Sequence, residues 1–501
     1  MKKYLLLSFL LFSSGLMAQS IDSLQAKMLT PAEMQADFKY LRRLLEETHP
    51  GLYRYMPKAT MQTKMDSIAG LLHQPMPFYG FYKTIAALIA EVRCAHTNAL
   101  PTKHWEGAFG KTWKTLPFFL FPTQHKFYVL FNGTSDQRIE PGFELLSING
   151  QSTEQIRQIL FRYLWADGYI QSSKEAALQG QFFLIFYYLF IGQSDAFSLT
   201  FRDLDGNTLD CEVTAQPFVT HLKQYKKNPV NKQMIAWYNV RHKKPWRLSF
   251  LKDVEATAYL RFDGFSGEGA KDAKEAGAKF RAFMDESLAK MEKKKTRNLI
   301  VDVRSNGGGW DTQGVELFTY LMKSDSAVRY YRRLHSITDS SDFLKFSDLS
   351  SEDLKNLKTE LQPEKDGTFT LKEEENPDLK FQYPKPNRFR GKVYILMNGR
   401  SASTTAEFTA VAHSNNVGVF VGEESGGAYD GGNGASFIHL ELPHSKIYVG
   451  TPLVYYQNNV MPPAQKGHGT LPNYEVPITL ENLLKHTDTQ LEFVKSLILK
   501  K

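Results

Sequence analysis

A chain of 501 residues, 42% hydrophobic and 23% charged, is long enough for two to four globular domains and too apolar to be disordered. Its net charge of +8 is scattered over short clusters such as Lys226-Lys227, Arg241 to Lys244 and Lys293 to Arg297. With no aromatic-interleaved basic stripe, that distribution excludes nucleic acid as the expected partner. The two cysteines, Cys94 and Cys211, make neither a disulfide framework nor a zinc-ligand spacing, and no cofactor or metal is expected; after export they could pair.

The first 18 residues read as a secretory signal. Lys2-Lys3 is its basic end, Tyr4 to Phe12 its apolar run, and Ala18 a small residue at the cleavage point. The run is too short to span a bilayer, so no transmembrane segment is expected after its removal. The mature protein is expected to be exported, periplasmic or secreted.

Residues 19–110 are expected to form a helical domain, since Leu41, Leu44 and Leu45, then Ile85, Leu88, Ile89 and Val92, recur at helical spacing. Residues 111–216 change period. Leu116 to Phe121 and Phe127 to Phe131 read as strands. A Pro141-Gly142 turn, a strand Glu144 to Ile148, an Asn149-Gly150 turn and a helix follow. That order resembles a PDZ domain, here with an insertion. In FSLTFRDLDGNTLDCEVTA, Phe197, Leu199 and Phe201 face Leu209, Cys211 and Val213 across an Asp205-Gly206 hairpin. The apolar run Phe182 to Ile191 reads as core helix or strand. Residues 216–245 read as an irregular basic linker.

From residue 217 to the end an α/β domain is expected. Ala256 to Phe262 and Asn298 to Val303 are strands, while Ala270 to Met291 and Trp310 to Met322 are helices. Polar residues 335–385 read as a surface insertion, after which the pattern resumes at Gly391.

Two stretches carry chemistry. In LIVDVRSNGGGW, residues 299–310, a buried strand runs into three glycines and a helix. Such a turn either only tightens the chain or aims backbone N–H groups at an anion. No Gly-Lys-Ser/Thr follows, so it is not a P-loop. In NGRSASTTAEF, residues 398–408, a strand ends in a hydroxyl cluster. There Ser401 or Ser403 either caps the following helix or serves as a nucleophile at its positive end. The stretch is not Gly-x-Ser-x-Gly, so a hydrolase elbow does not fit.

Together these stretches resemble the C-terminal-processing (tail-specific) serine peptidases, in particular the tricorn-core-like branch. Asp302-Val303-Arg304-Ser305-Asn306-Gly307-Gly308-Gly309, Ser401-Ala402-Ser403 and Val421-Gly422-Glu423 match that family's pattern in order. The resemblance implies a multi-domain α/β (α+β) fold with a helical N-terminal domain, a PDZ-like β domain and a ClpP/crotonase-like core. It makes Ser403 the nucleophile, with the N–H of Thr404 and one from Gly307 or Gly308 as oxyanion donors. The tail-specific lysine position falls on Ala428, and no lysine lies between Ser403 and Lys446, so a Ser–Lys dyad is absent. The other branch uses a histidine in a Gly-His-Thr-like motif, matched by Arg93-Cys94-Ala95-His96-Thr97, which makes His96 the general base. The branch's acid falls on Gln465-Lys466. A carbonyl or hydroxyl, Glu423 and Glu475 are left as candidates to orient His96, and His468 is a second candidate base. The resemblance further implies polypeptide substrates, held through a PDZ-like groove, and an exported serine endopeptidase. The alternative is a catalytically silent peptide-binding or scaffold protein on the same fold.

Overall fold

Helix α1 (Pro31–Thr48) begins where the sequence caps it. Thr30 Oγ1 accepts the Glu33 N–H, the Glu33 carboxylate takes the Thr30 N–H at 2.8 Å, and Pro31 supplies the first turn. Its stripe Met34, Phe38, Leu41, Leu44 and Leu45 is buried. A second helix spans Lys58–Leu71, and α2 (Phe78–Glu91) buries Phe81, Ile85, Leu88 and Ile89 against the same core. The computed structural model describes residues 27–238 and 244–500, and the expected signal segment lies outside them. Among the described residues no helix is long and apolar enough to cross a membrane.

After α2 the chain turns at Arg93, whose φ is +57°, passes His96 and forms the short strand β1 (Asn98–Leu100). The next unit is an antiparallel sheet. Its strands are β2 (Phe118–Thr123), β3 (Lys126–Asn132) and β4 (Glu144–Ile148), then, after helix α3 (Thr153–Phe161), β5 (Ala196–Arg202) and β6 (Thr208–Thr214). The order across the sheet is β6–β5–β4–β3–β2. The expected hairpin has Leu209, Cys211 and Val213 opposite Phe201, Leu199 and Phe197. The run from Phe182 is helical, Gln181–Phe186 continuing as a wider π-turn over Tyr187–Ile191. Both cysteines are free thiols.

The expected linker at 216–245, of which residues 239–243 lie outside the described residues, is corrected by the structure over residues 218–238. Phe218–Lys227 and Lys232–Tyr238 are helices. Phe218, Leu222 and Tyr225 lie on one helical face, and Phe218 and Tyr225 pack on Phe119 and Phe131 of the antiparallel sheet. Asn231 Oδ1 also accepts the Asn132 N–H at 2.9 Å. The basic residues occupy the solvent side, which is why the composition looked like a linker.

The α/β unit contains, in order, β7 (Trp246–Phe250), β8 (Thr257–Phe262), α4 (Ala273–Lys293), β9 (Asn298–Asp302), α5 (Asp311–Leu321), β10 (Tyr331–Ser336), β11 (Lys392–Met397), α6 (Thr404–Ser414), β12 (Val419–Gly422), β13 (Asn433–Glu441), β14 (Tyr448–Asn458), β15 (Tyr474–Glu475) and α7 (Thr489–Leu499). Its main sheet runs β7–β8–β9–β11–β12–β15, parallel apart from β7. Both faces are covered, so its central strands are apolar throughout. Leu299, Val301, Val393 and Ile395 join the core with Phe280 of α4, Leu317 of α5 and Phe408 of α6. The alternate residues Ile300, Tyr394 and Leu396 meet Val494 of α7.

A second sheet contains β10, β14 and β13. One edge of β14 pairs with β10 near residues 455–458 and with β1 at residues 448–450. Strand β1 therefore ties the end of the N-terminal helical segment, and the His96 loop just before it, to the α/β unit. Within residues 335–385, helix Ser351–Glu360 has no fully buried residue and rests on the core only through the half-buried Leu354 and Leu357. Phe343, however, packs edge-on against Tyr40 of α1 at 5.1 Å, a burial that contributes roughly 2 kcal/mol.

Candidate active site

The parallel strands β9 and β11 end side by side, at the carboxyl edge where open α/β sheets place ligands. Asp302, the last residue of β9, is fully buried. Arg261 and Arg304 each reach it at 2.5 Å, and the Tyr259 hydroxyl donates to it as well. Burial alone would raise this carboxyl, but the two guanidinium groups hold it far below the ordinary carboxylate range. Arg304 also bonds Asp488 at 2.6 Å, which fixes the strand end to the cap of α7.

From that clamp the chain enters the glycine turn. Asn306 is buried, and its side-chain oxygen accepts the Gly308 N–H at 2.9 Å. Gly308 has φ +96°, and a Cβ there would stand 2.7 Å from Ser403 Cβ, 2.9 Å from Ala402 O and 3.0 Å from Thr404 N. Only glycine lets the turn lie this close to the loop opposite. Of the two expected glycine donors, Gly308 is thus committed to Asn306, while Gly307 is exposed.

The two serines of the second stretch separate cleanly. Ser401 is buried; its hydroxyl donates to Val303 O at 2.8 Å and accepts the Asn398 N–H at 3.1 Å. It stitches the two strand ends together. Ser403 sits at the head of α6 without making a side-chain capping bond, at φ +54° and ψ −134°. A non-glycine residue in that region costs about 1–3 kcal/mol and persists only where its surroundings enforce it. Thr404, first in α6, has an N–H with no partner inside the helix, at the positive end of the dipole.

Thr404 Oγ1 lies 2.9 Å from Asp311 Oδ1, and the Tyr456 hydroxyl donates to Asp311 Oδ2 at 2.6 Å. One turn into α6, Glu407 accepts from the Tyr331 hydroxyl at 2.6 Å. Burial first, and then the nearby Asp311, push the Glu407 carboxyl up to about 8.

His96 arrives on the loop between α2 and β1. The His49 ring supports that loop: its Nδ1 accepts the Gly51 N–H at 3.0 Å, which leaves the Nε2–H to donate to Thr97 Oγ1 at 2.8 Å. The Ala95 N–H donates to Asp167 Oδ1 at 2.7 Å. The His96 ring lies 5.7 Å from the Phe437 ring, and its Nδ1 is buried with no partner among the described residues. Burial lowers its proton affinity; Asp167 and then Asp311 oppose that through their charge. The net direction favours the neutral imidazole, the form able to accept a proton.

The structure brings the loops of His96 and Ser403, about 300 residues apart in sequence, to the same two carboxylates. Asp311 bonds Thr404 and acts electrostatically on His96. Asp167 bonds Ala95, and its Oδ2 lies 3.6 Å from where a Cβ on Gly427 would stand, a point itself 3.7 Å from Ser403 N. Glu423 and Glu475 lie elsewhere. They line a cavity of about 2400 Å³ together with Arg304, Arg400 and Asp488. Burial and then Glu475 raise the Glu423 carboxyl, and neither glutamate is among the charges acting on His96. His468 bonds Glu424 through Nδ1 at 3.0 Å. Gln465 and Lys466 are exposed, and Ala428 is buried. Sequence reasoning missed Asp167 and Asp311. Asp311 had one signal, an acid in the first turn of a helix; Asp167 had none.

A hydroxyl held at the positive end of a helix, with a neutral imidazole brought to the same carboxylates, is suited to acyl transfer. Residues 256–476 match the family model described as peptidase family S41. Among solved structures, that of a CPAF mutant aligns with a TM-score of 0.59 at 14% identity, over 94% of this chain and 97% of that one. Mature CPAF complexed with lactacystin gives 0.57 at 14% identity, over 94% and 98%. At that identity the likeness speaks for the fold. No curated protein matches the sequence. Over residues 256–476 the chain carries a peptidase family S41 domain, that of a serine-type peptidase.

Proposed function

We propose that Ser403 is the nucleophile of this peptidase and His96 its general base. The observation that carries the reading is the backbone of Ser403, held at positive φ between the Gly308 turn and the head of α6. Such strain exposes the hydroxyl instead of turning it into a cap. His96 takes the hydroxyl proton as Oγ attacks the scissile carbonyl, then returns it to the leaving amine. The N–H groups of Thr404 and Gly307 receive the developing oxyanion, aided by the α6 dipole. Water then hydrolyses the acyl-enzyme. With Ala428 at the lysine position, histidine is the base this site offers.

The substrates of this reading are polypeptides cut as by an endopeptidase. The antiparallel unit built on β2–β6 is read as a PDZ-like module, which can add a peptide strand to a sheet edge. The domain reading keeps a helical segment to residue 110 and that module from 111, extended to about 238 by the helices packed on it. The signal-like first 18 residues support export to the periplasm or beyond.

A fluorophosphonate probe tests the assignment. Wild type should label and should cleave unfolded casein; Ser403→Ala should do neither, and His96→Ala should do both at least about 10²-fold more slowly. Labelling that persists in Ser403→Ala would sink the nucleophile assignment, and an unimpaired His96→Ala would sink the base.

A further inference from the structure

The family pattern calls for an acid near Gln465-Lys466, and this chain has none there. A different buried carboxylate stands at the site. Asp167 is 4% exposed and lies in the loop between α3 and the helix Gln171–Ala177. It accepts two backbone N–H groups: Ala95, immediately before His96, at 2.7 Å, and Ala428, the position of the absent lysine, at 3.4 Å. The same loop is held to the His96 segment by the Gly168 N–H, which donates to Arg93 O at 3.0 Å. Asp167 is also the larger of the two charges acting on His96.

Its neighbours leave that charge available. Arg54, a cation on which the Asp167 charge acts, spends its hydrogen bonds on Asp430 at 2.5 Å and Gly431 O at 2.7 Å. Tyr55, Tyr455 and the Cys94 thiol face Asp167 from the N-terminal segment and β14. On the α5 and α6 side, Asp311 faces His96, and Glu407 faces Asp311 and Asp167.

We propose that Asp167 is the positioning acid of this site, anchoring the His96 loop through Ala95 and holding a buried negative charge beside the imidazole. The inference rests on the reading of His96 as base. In the attack, the Ser403 proton passes to the His96 ring, the Oγ–carbon bond forms and the carbonyl electron pair moves onto oxygen. Asp167 gains no proton; it stabilises the imidazolium through space, with no hydrogen bond to the ring. The family's lysine branch carries a cation near residue 428. Here the backbone at 428 instead donates to a carboxylate, a local inversion of charge that suits a histidine base.

The test is Asp167→Asn, which keeps an acceptor for the Ala95 N–H and removes the charge. Casein cleavage should fall about 10–100-fold. The acid limb of the kcat/KM profile should move down by about one pH unit, because an imidazole without its counter-charge loses its proton more readily. Asp167→Glu should keep the limb in place. A purely scaffolding Asp167 would lower the rate with the limb unmoved, and that result overturns the proposal, as does an unaltered rate. If Asp167→Asn does not fold, Asp167→Glu carries the test alone, and a limb displaced downward in it is the overturning result. Wild-type cleavage by His96→Ala marks failure of the base assignment instead, a separate outcome.

Discussion

Replacing Gly308 by alanine probes the closest approach in the molecule between the glycine turn and the nucleophile loop. The new methyl would meet Ser403 Cβ at 2.7 Å, Ala402 O at 2.9 Å and Thr404 N at 3.0 Å. Two of these atoms are backbone and the third is a Cβ, so none can swing aside. Overpacking of this kind costs about 1–3 kcal/mol, and φ +96° adds about 1–2 kcal/mol for any residue bearing a Cβ. A destabilisation of about 2–5 kcal/mol is therefore expected, against a typical total of about 5–15 kcal/mol. Whatever relaxation relieves the clash must move the turn off Ser403. A displacement of about 1 Å at a reacting centre costs about 10²-fold in rate. Gly307→Ala is the matched control, since its Cβ would have nothing within 4 Å; its stability should stay within about 0.5 kcal/mol of wild type. Thermal melts and kcat/KM on a quenched fluorescent casein read both variants. Equal melting and activity for Gly308→Ala and wild type, or equal damage from the two substitutions, would refute the packing argument.

Acid should loosen the support of the His96 loop. Burial pushes His49 down to about 4 from its usual 6.5, so its neutral form contributes stability above pH 6.5 that is lost as pH falls toward 4. Linkage puts the loss at about 3 kcal/mol; urea unfolding at pH 7 and pH 4 should show it, with a shallower fall in His49→Gln. Glu407 has the opposite sense. With its carboxyl pushed up to about 8 from 4.5, its stabilising protonated form is fully present below pH 4.5 and is lost as pH rises through 8. Glu407→Gln, which still accepts from Tyr331, should exceed wild type by about 2–4 kcal/mol at pH 9 and match it near pH 4. A pH-independent difference between those two chains would place the origin in packing instead.

Much of the core was legible because its signals are local. The unbroken apolar runs of β9 and β11 follow from burial on both faces, and the glycine turn and the α6 start are written in consecutive residues. The fate of Ser401 was not. Its hydroxyl meets Val303 O at 2.8 Å, a partner about 100 positions earlier, and that bond is what separates the stitching serine from Ser403. The basic stretch around Lys226 misled for a related reason. Composition counts its lysines, while the partners of Phe218 and Tyr225 lie in β2 and β3.

The sequence by itself determined the order of helices and strands, the family-like motifs and the absence of a lysine at 428, because each depends on neighbours along the chain. Tertiary structure alone decided which carboxylates face His96. Strand β1, by pairing with β14, carries a histidine from the N-terminal segment to the carboxyl edge of the α/β sheet. There Asp167 and Asp311, from two other parts of the chain, share its surroundings. Charges act over distance in space, and no pattern along the sequence records that distance.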